Sequence, residues 1–184
     1  SPACARPARL NWRHGQRRAP EMPRHSETRQ LPYSPSQMFD LVADVGRYQE
    51  FLPWVVATRV KSNSDTQMLA DLIVGFGPLR ETFTSRVNKV RPTRIVVDYV
   101  EGPLKYLHNE WDFRSDGQGG TLVDFAVDFA FRSRTFEALA GRFFGEAVRR
   151  MVSAFETRAK ALYGSTAQSS VGSGSNSSSA HSAA

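Results

Sequence analysis

The chain has 184 residues, of which 40% are hydrophobic and 11% aromatic, a composition that fits one globular domain with flanking segments. A single cysteine excludes a disulfide framework and a thiolate metal cage within one chain, and no apolar run reaches the length of a transmembrane helix. The net charge of +6 includes +5 in residues 1–24, so the remainder is nearly neutral and lacks the basic character of a DNA-binding domain.

Residues 1–23 form a basic segment with four prolines and no apolar period, which predicts a disordered arm. Three interpretations of this arm stay open. It is a basic anchor for anionic lipid or RNA, an arginine-rich organelle-targeting segment, or upstream sequence that is not native. The third interpretation depends on the missing initial methionine and on Met22, after which the pattern becomes regular.

A short strand and two short helices open the patterned region. Residues 25–31 alternate and predict an edge strand. Ser34 followed by Pro35 is typical of an N-cap and the first position of a helix, which predicts a helix over residues 36–43. Asp44 is placed to cap a second short turn that ends near Tyr48.

The segment that follows is too apolar for an ordinary surface loop. It contains Tyr48, Phe51, Leu52, Pro53, Trp54 and Val55. Such a segment either belongs to the core or forms the mouth of a cavity, and the sequence leaves both interpretations open.

Six strand-like segments come next, separated by short turns rich in glycine, proline, asparagine and aspartate. They cover residues 55–62, 67–76, 79–90, 95–100, 107–114 and 121–131. Because the connections are short, neighbouring strands are expected to pair antiparallel.

Alternation within these strands separates an apolar face from a polar face. The apolar face is expected to contain Met68, Leu72, Val74, Phe76, Leu79, Phe83, Val87, Ile95, Val97, Tyr99, Leu107, Trp111, Phe113, Val123, Phe125, Val127, Phe129 and Phe131. The polar face carries charges of both signs, which we interpret as cross-strand pairs on a solvated surface. The evident candidates for acid–base chemistry on the inner side are Glu81 and Tyr99.

Residues 134–162 predict one long amphipathic helix, because apolar residues recur there at steps of three and four. The apolar stripe includes Phe143, Phe144 and Val148. A helix of about eight turns needs a wide partner surface, so we expect it to cover a curved antiparallel sheet.

Two features of this helix concern a ligand. Gly141 and Gly145 each cost about 1 kcal/mol relative to alanine inside a helix, and they indicate either the close approach of a strand or room for a ligand. A helix over a strongly bent sheet also leaves a wedge of interior. Filled by side chains, the wedge is plain core; left open, it is an apolar pocket suited to a lipid.

Residues 164–184 are rich in serine, glycine and alanine, which predicts a flexible tail. The expected organisation is therefore a disordered basic arm over residues 1–23, an α+β lipid-binding domain over residues 24–163, and a disordered tail over residues 164–184.

The order strand, two short helices, six strands and long C-terminal helix resembles the START-like, or helix-grip, superfamily of polyketide cyclases and lipid-transfer domains. More narrowly, the chain resembles the coenzyme Q-binding family, which also includes bacterial ribosome-association toxins. Three stretches carry the resemblance: LPYSPSQMFDLV leading to YQEFLPW (31–54), EGPL leading to WDF (101–113), and DFAF running into the C-terminal helix (128–159). It covers residues 24–163 and gives no counterpart for the arm or the tail.

The resemblance implies a curved antiparallel sheet of about seven strands around the long helix, and a small non-enzymatic protein that binds ubiquinone in an apolar tunnel. Its functional positions, carried over by motif, fall into three groups. They are Phe51, Leu52 and Trp54 at the mouth, Gly102, Pro103 and Leu104 on the loop beside it, and Trp111, Phe129, Phe143 and Phe144 inside. Further ligand-binding candidates on the apolar faces are Phe76, Phe83, Tyr99 and Val148. Because a ligand taken from a membrane needs an opening, we expect the loop and the segment of residues 48–54 to be mobile.

The residues argue against several other chemistries. The four histidines have no metal-ligand spacing, and Cys4 lies in the arm, so neither a metal site nor a catalytic thiol is expected. The glycine-rich segments are hairpin turns that open no helix, so a phosphate-binding loop is not expected. A cyclase or aromatase requires a polar cavity, whereas the inward residues predict an oily one.

Two functions stay open. The first is a ubiquinone carrier or chaperone that supports respiration and ubiquinone biosynthesis, with no cofactor other than the bound ubiquinone or prenyl lipid. We expect such a carrier in the cytoplasm, in peripheral contact with the inner membrane through the apolar mouth. The second is a toxin-like factor that binds the large ribosomal subunit and blocks subunit association.

Overall fold

The computed structural model describes residues 24–76 and 79–169. In chain order its elements are β1 (Arg24–Leu31), α1 (Pro35–Ala43), a 3-10 helix (Val45–Glu50), β2 (Val55–Asn63), β3 (Gln67–Phe76), β4 (Leu79–Val90), β5 (Arg94–Glu101), β6 (Leu104–Ser115), β7 (Thr121–Phe131) and α2 (Arg134–Ser169). The predicted arm, and the predicted tail from residue 170 onward, lie outside the described residues.

The seven strands form one antiparallel sheet in the order β1-β7-β6-β5-β4-β3-β2. β1 pairs with β7, so the first strand is an edge strand, as predicted. Register shifts in the β2–β3, β4–β5 and β6–β7 pairs mark irregularities of the bulge type, which bend strands and increase their twist. The α+β helix-grip architecture predicted from the sequence is thereby confirmed.

Two element boundaries differ from the prediction by more than two residues. β6 begins at Leu104 instead of residue 107, because Leu104 pairs with Phe131 across a register shift that alternation does not reveal. α2 runs to Ser169 instead of residue 162. Once a helix has formed, each added residue gains one hydrogen bond, so a helix readily continues past the end of its apolar period.

The predicted start of α1 is confirmed by a capping box. The hydroxyl of Ser34 accepts a hydrogen bond from the Gln37 backbone N–H at 3.3 Å, and the Gln37 side chain accepts one from the Ser34 N–H at 2.9 Å. Asp44 occupies the N-cap position of the 3-10 helix, as predicted. Its side chain makes no capping hydrogen bond, so the predicted capping interaction is wrong.

α2 covers the concave face of the sheet. Its Phe155 ring lies 5.3 Å from Trp111 on β6, and its Phe144 ring lies 5.3 Å from Phe129 on β7, both between ring centroids. Val148, Val152, Phe155 and Ala159 are the buried residues of the described part of α2. The expectation that the apolar strand faces look toward the long helix is therefore confirmed.

Two apolar residues of the predicted helix stripe are exposed among the side chains that the structure describes. Phe143 is 43% exposed and Leu162 is 46% exposed. Successive helical residues are about 100° apart, so Phe143 points away from the direction of its half-buried neighbour Phe144. Near Leu162 the helix is instead held by Tyr163, whose ring lies 5.9 Å from that of Tyr33.

Both interpretations of the helix glycines are also wrong. Gly141 and Gly145 lie on the exposed side of α2. An added Cβ at Gly141 would meet no atom of the described residues within 4 Å, and one at Gly145 would meet only Arg149, at 3.8 Å. These glycines therefore mark neither a close strand nor space above the sheet.

The convex face of the sheet carries the predicted cross-strand pairs. His108 lies between Asp98 and Glu110, with nitrogen–oxygen distances of 2.8 and 2.7 Å, and Arg94 contacts Glu110 at 2.9 Å. Hydrogen bonds to Glu110 and Asp98 raise the pKa of His108 above its ordinary value. This face is a solvated network of charges, as the alternation indicated.

Candidate ligand-binding site

The concave face is packed unevenly along the strands. At one end, Ile95, Trp111, Phe113 and Phe125 are at most 7% exposed, which makes that end solid core. At the other end the inward side chains are only half-buried. These residues, here called the half-packed end, are Leu72, Val74, Phe83, Tyr99, Leu107 and Phe129.

The half-packed end is one continuous patch rather than scattered positions. Leu72 on β3 stands directly opposite Phe83 on β4, and Leu107 on β6 stands opposite Phe129 on β7. Directly opposed side chains on one face of an antiparallel pair are about 5 Å apart. Side chains from five neighbouring strands therefore form one incompletely buried patch on the concave face.

Polar atoms also lie on this concave face. Inaccessible atoms without a hydrogen-bond partner among the described residues are His25 Nε2, Glu27 Oε1, Ser85 Oγ, Tyr99 OH and Asn109 Oδ1. Two of these side chains are nevertheless in contact, because His25 Nε2 lies 3.5 Å from Glu27 Oε2. The strand registers place all five side chains on the concave side, in rows with the core residues. The sequence prediction named only Tyr99 among them.

The segment predicted as the mouth contributes mainly to the core. Tyr48, Phe51 and Phe155 form an aromatic cluster with ring centroids 5.3 to 5.8 Å apart, and Leu52 is 8% exposed. The Tyr48 hydroxyl donates to the Val42 carbonyl at 2.5 Å, and burial raises the pKa of that hydroxyl. This cluster anchors the 3-10 helix to α2.

Phe51 and Trp54 keep partial exposure at the edge of this cluster. Both are half-buried. The Arg158 guanidinium lies 5.4 Å from the centre of the Phe51 ring, and the Trp54 carbonyl accepts a hydrogen bond from the Gly75 N–H at 2.9 Å. The segment is thus a core anchor with two aromatic side chains at its rim.

The loop between β5 and β6 is tied down on both sides. Gly102 has φ +135°, and an added Cβ would lie 2.8 Å from Phe83 Cβ and from the Thr82 carbonyl oxygen. The Pro103 carbonyl accepts from the Arg132 backbone N–H at 3.3 Å, and the Leu104 carbonyl accepts from the Arg132 side chain at 3.0 Å.

Leu104 is therefore not part of a mobile loop. It opens β6 and is 6% exposed. The prediction that Leu104 lies on the loop is wrong, and the Gly102-Pro103 pair makes a tight passage against β4. The predicted mobility of this passage stays a prediction.

The structure brings some of the predicted interior residues together between the sheet and α2. Trp111 is buried between Phe125 and Phe155, and Phe129 packs on Phe144. Val148 is 5% exposed. Phe143 points outward, and the side chain of Phe76 on β3 lies outside the described residues.

Two open grooves lie beside α2. One, of about 690 Å³, runs between Phe51 and the outer side of α2, where Arg149, Arg150 and Arg158 line it. The other, of about 610 Å³, lies between the β1–α1 connection and the β6–β7 turn. Of the predicted binding residues that the structure describes, Phe51 alone lines either groove.

Within residues 24–76 and 79–169, no group of histidine, cysteine, aspartate or glutamate side chains is arranged to hold a metal ion. No helix in those same ranges combines the length and apolar character needed to cross a membrane.

Comparison with known proteins places these features in context. A family model described as polyketide cyclase/dehydrase and lipid transport matches residues 31–156. The ribosome association toxin RatA of Escherichia coli is 37% identical over 142 residues, which cover 77% of this chain and 90% of that protein. The mitochondrial coenzyme Q-binding protein COQ10 homolog B of Xenopus laevis is 37% identical over 76% of this chain and 59% of its own length.

A solved structure shows the same fold. A START superfamily protein from Mycobacterium smegmatis superimposes with a TM-score of 0.65 at 16% identity, covering 76% of this chain and 98% of that one. At that identity the likeness concerns the fold alone.

Proposed function

This chain belongs to the polyketide cyclase/dehydrase and lipid transport family, and on that premise we propose that it is a non-enzymatic carrier of ubiquinone or a similar prenyl lipid. The observation that carries the proposal is the half-packed end, where apolar side chains from five strands face α2 without being fully buried. The 37% identity of this chain to a coenzyme Q-binding protein homologue supports the choice of ligand.

The energetics of such binding are sufficient. Each buried CH₂ contributes about 0.8 kcal/mol, so one five-carbon isoprene unit contributes about 4 kcal/mol when fully buried. Micromolar affinity corresponds to about 8 kcal/mol after the costs of association. A few isoprene units in the half-packed end therefore supply the affinity without any catalytic machinery.

The distribution of ionisable groups on the concave face supports a carrier over an enzyme. Of the two predicted candidates, Glu81 lies on β4 four residues before Ser85, which stands opposite Tyr99 on β5. At about 3.3 Å per residue, Glu81 and Tyr99 are about 13 Å apart along the strands. His25 and Glu27 contact each other at 3.5 Å on β1, three strands from Tyr99 in the sheet order. A general acid and base must reach the same reacting group, and the distance between Glu81 and Tyr99 does not favour it.

The test is direct identification of bound lipid. The full chain is purified without detergent, extracted with organic solvent and analysed by mass spectrometry, and a short-tailed ubiquinone is titrated into delipidated protein. We expect a co-purifying prenyl quinone and saturable binding at one site. Absence of both would refute the carrier function.

A second function, association with the large ribosomal subunit, is supported by the relatives named ribosome association toxin and by exposed arginines on α2. Arg142, Arg149 and Arg150 lie on its solvent side. If these residues contact RNA, binding must weaken as salt rises, because each phosphate contact releases counterions. Sucrose-gradient sedimentation at two salt concentrations tests this, with Arg149→Glu compared with Arg80→Glu on the exposed sheet surface.

A further inference from the structure

The concave face carries a set of unpaired polar atoms that apolar tunnel walls do not explain. We propose, building on the carrier function above, that Ser85, Tyr99 and Asn109 bind the oxygen-bearing aromatic head of the ligand. His25 and Glu27 extend this polar belt toward β1, and the prenyl tail lies along the half-packed end. The belt selects a hydroxyl-bearing head, a phenol or hydroquinone, over a head with carbonyl oxygens alone.

Strand register makes the three central residues neighbours. Ser85 on β4 stands directly opposite Tyr99 on β5, and Asn109 on β6 stands directly opposite Val97, two residues before Tyr99 on the same face. Direct partners on one face are about 5 Å apart and diagonal ones about 7–8 Å. The three polar groups are thus within reach of one ring.

The belt continues along the same row toward the sheet edge. Asn109 pairs with Val127 on β7, and Val127 pairs with His25 on β1. The row lies between the solid core at Trp111 and the half-packed end at Phe129. This position fits an amphiphile whose head stops at the core and whose tail follows the less packed side chains.

Within the described part of the chain, the lack of partners is confined to the concave side. Ser85 is 1% exposed, and its hydroxyl has no hydrogen-bond partner among the described residues. Its neighbour Thr84, which faces the convex side, donates to the Asp71 carboxylate at 2.6 Å. Most buried polar groups in folded proteins find a partner, so the unpaired atoms of Ser85, Tyr99 and Asn109 on one face indicate that a bound molecule completes their hydrogen bonding.

The side chains of α2 that the structure describes above the belt offer no such partner. Phe144 of α2 lies against His25 and Phe129, with ring centroids 6.4 and 5.3 Å away, while Phe155 lies against Trp111. The buried α2 residues between these two contacts, Val148 and Val152, carry only hydrocarbon. Ligand oxygens placed between α2 and the sheet are therefore the natural partners of the belt.

The unpaired atoms define the chemistry of the head. The hydroxyls of Ser85 and Tyr99 donate or accept, whereas Asn109 Oδ1 only accepts. A quinone carbonyl satisfies the two hydroxyls but offers no donor to Asn109. A phenol or hydroquinone satisfies all three, so we expect it to bind about three- to tenfold more tightly than the quinone with the same tail.

The experiment is a titration of the full chain with a short-tailed ubiquinone and its reduced form, in the wild type and in Tyr99→Phe, Ser85→Ala and Asn109→Leu. The matched control is Tyr106→Phe, because the Tyr106 hydroxyl lies on the convex face and donates to Asp128 at 2.9 Å. We expect Tyr99→Phe to weaken hydroquinone binding about three- to tenfold and to raise the Tm of the ligand-free protein, since it removes an unpaired buried hydroxyl. Tyr106→Phe should lower that Tm and leave the affinity unchanged.

The outcomes separate the two proposals. If the wild type binds neither form, the carrier function fails and the belt with it. If the wild type binds but the belt variants bind equally well and do not discriminate the two redox forms, the belt is refuted and the carrier remains. A lower Tm for ligand-free Tyr99→Phe would show that its hydroxyl has a structural partner, and would refute the belt.

Discussion

Substitution of Gly102 by alanine tests how tightly the β5–β6 passage fits against β4. Its φ of +135° lies where side chains are rarely accommodated, and the new Cβ would lie 2.8 Å from both Phe83 Cβ and the Thr82 carbonyl oxygen. Backbone strain of this kind costs about 1–3 kcal/mol, and overpacking adds a similar amount. We expect a loss of about 3 kcal/mol, or a fall in Tm of about 6–12 °C.

Two other glycines provide matched controls for this substitution. Gly119 also has a positive φ, of +91°, but an added Cβ meets nothing within 4 Å among the described residues, so Gly119→Ala should cost only about 1 kcal/mol. Gly141 lies in α2 with open space around it, so Gly141→Ala should stabilise by about 1 kcal/mol.

Thermal and urea unfolding followed by far-UV circular dichroism ranks the three variants. The expected order of stability is Gly141→Ala above wild type, wild type above Gly119→Ala, and Gly102→Ala last. A Gly102→Ala protein as stable as Gly119→Ala would refute the close approach to β4. A loss of stability in Gly141→Ala would show that its position is crowded.

Three further predictions concern the core and the convex face. Tyr48→Phe removes the hydrogen bond to the Val42 carbonyl and should lower the free energy of unfolding by about 1 kcal/mol; an unchanged urea midpoint would count against that bond. Trp111→Ala removes a buried ring held between two aromatic rings and should cost about 3–5 kcal/mol in the same assay, so a loss below about 1 kcal/mol would contradict its placement in solid core. Hydrogen bonds to Glu110 and Asp98 raise the pKa of His108, so its contribution to stability is fully present below the unfolded-state pKa of about 6.5 and is lost as pH rises through the folded-state value. Urea midpoints measured from about pH 5 to 8.5 should fall with rising pH in the wild type by more than in His108→Gln. Parallel curves of urea midpoint against pH for the two proteins would contradict a contribution from His108.

Alternation predicted most of the fold because the strands carry a strong period of two. The bounds of β3, β4 and β7 agree with the prediction at both ends. β6 was predicted to start too late, since its first residues follow Gly102-Pro103 and pair across a register shift. Periodicity detects regular strands and does not detect irregular pairing.

The candidate site was less predictable. The predicted apolar face of α2 included too many residues, because a spacing of three and four also admits residues such as Phe143 that point away from the sheet. The polar belt was missed for the opposite reason, because a search for apolar residues passes over Ser85 and Asn109. Each lies two residues before a core residue, Val87 or Trp111, and this spacing was the available signal. Only strand register shows that Ser85 and Asn109 flank β5 on either side, close to Tyr99.

The most direct measurement of the carrier function is calorimetric titration of a short-tailed ubiquinone into the wild type and Leu72→Trp. Leu72 is half-buried on the concave face opposite Phe83, so the larger indole occupies the space proposed for the tail. Val90→Trp, at a position that is 60% exposed, is the control. We predict one binding site in the wild type and the control, with affinity at least about tenfold lower in folded Leu72→Trp. Equal affinity in all three proteins, or no binding to the wild type, would contradict a ligand between the concave face and α2.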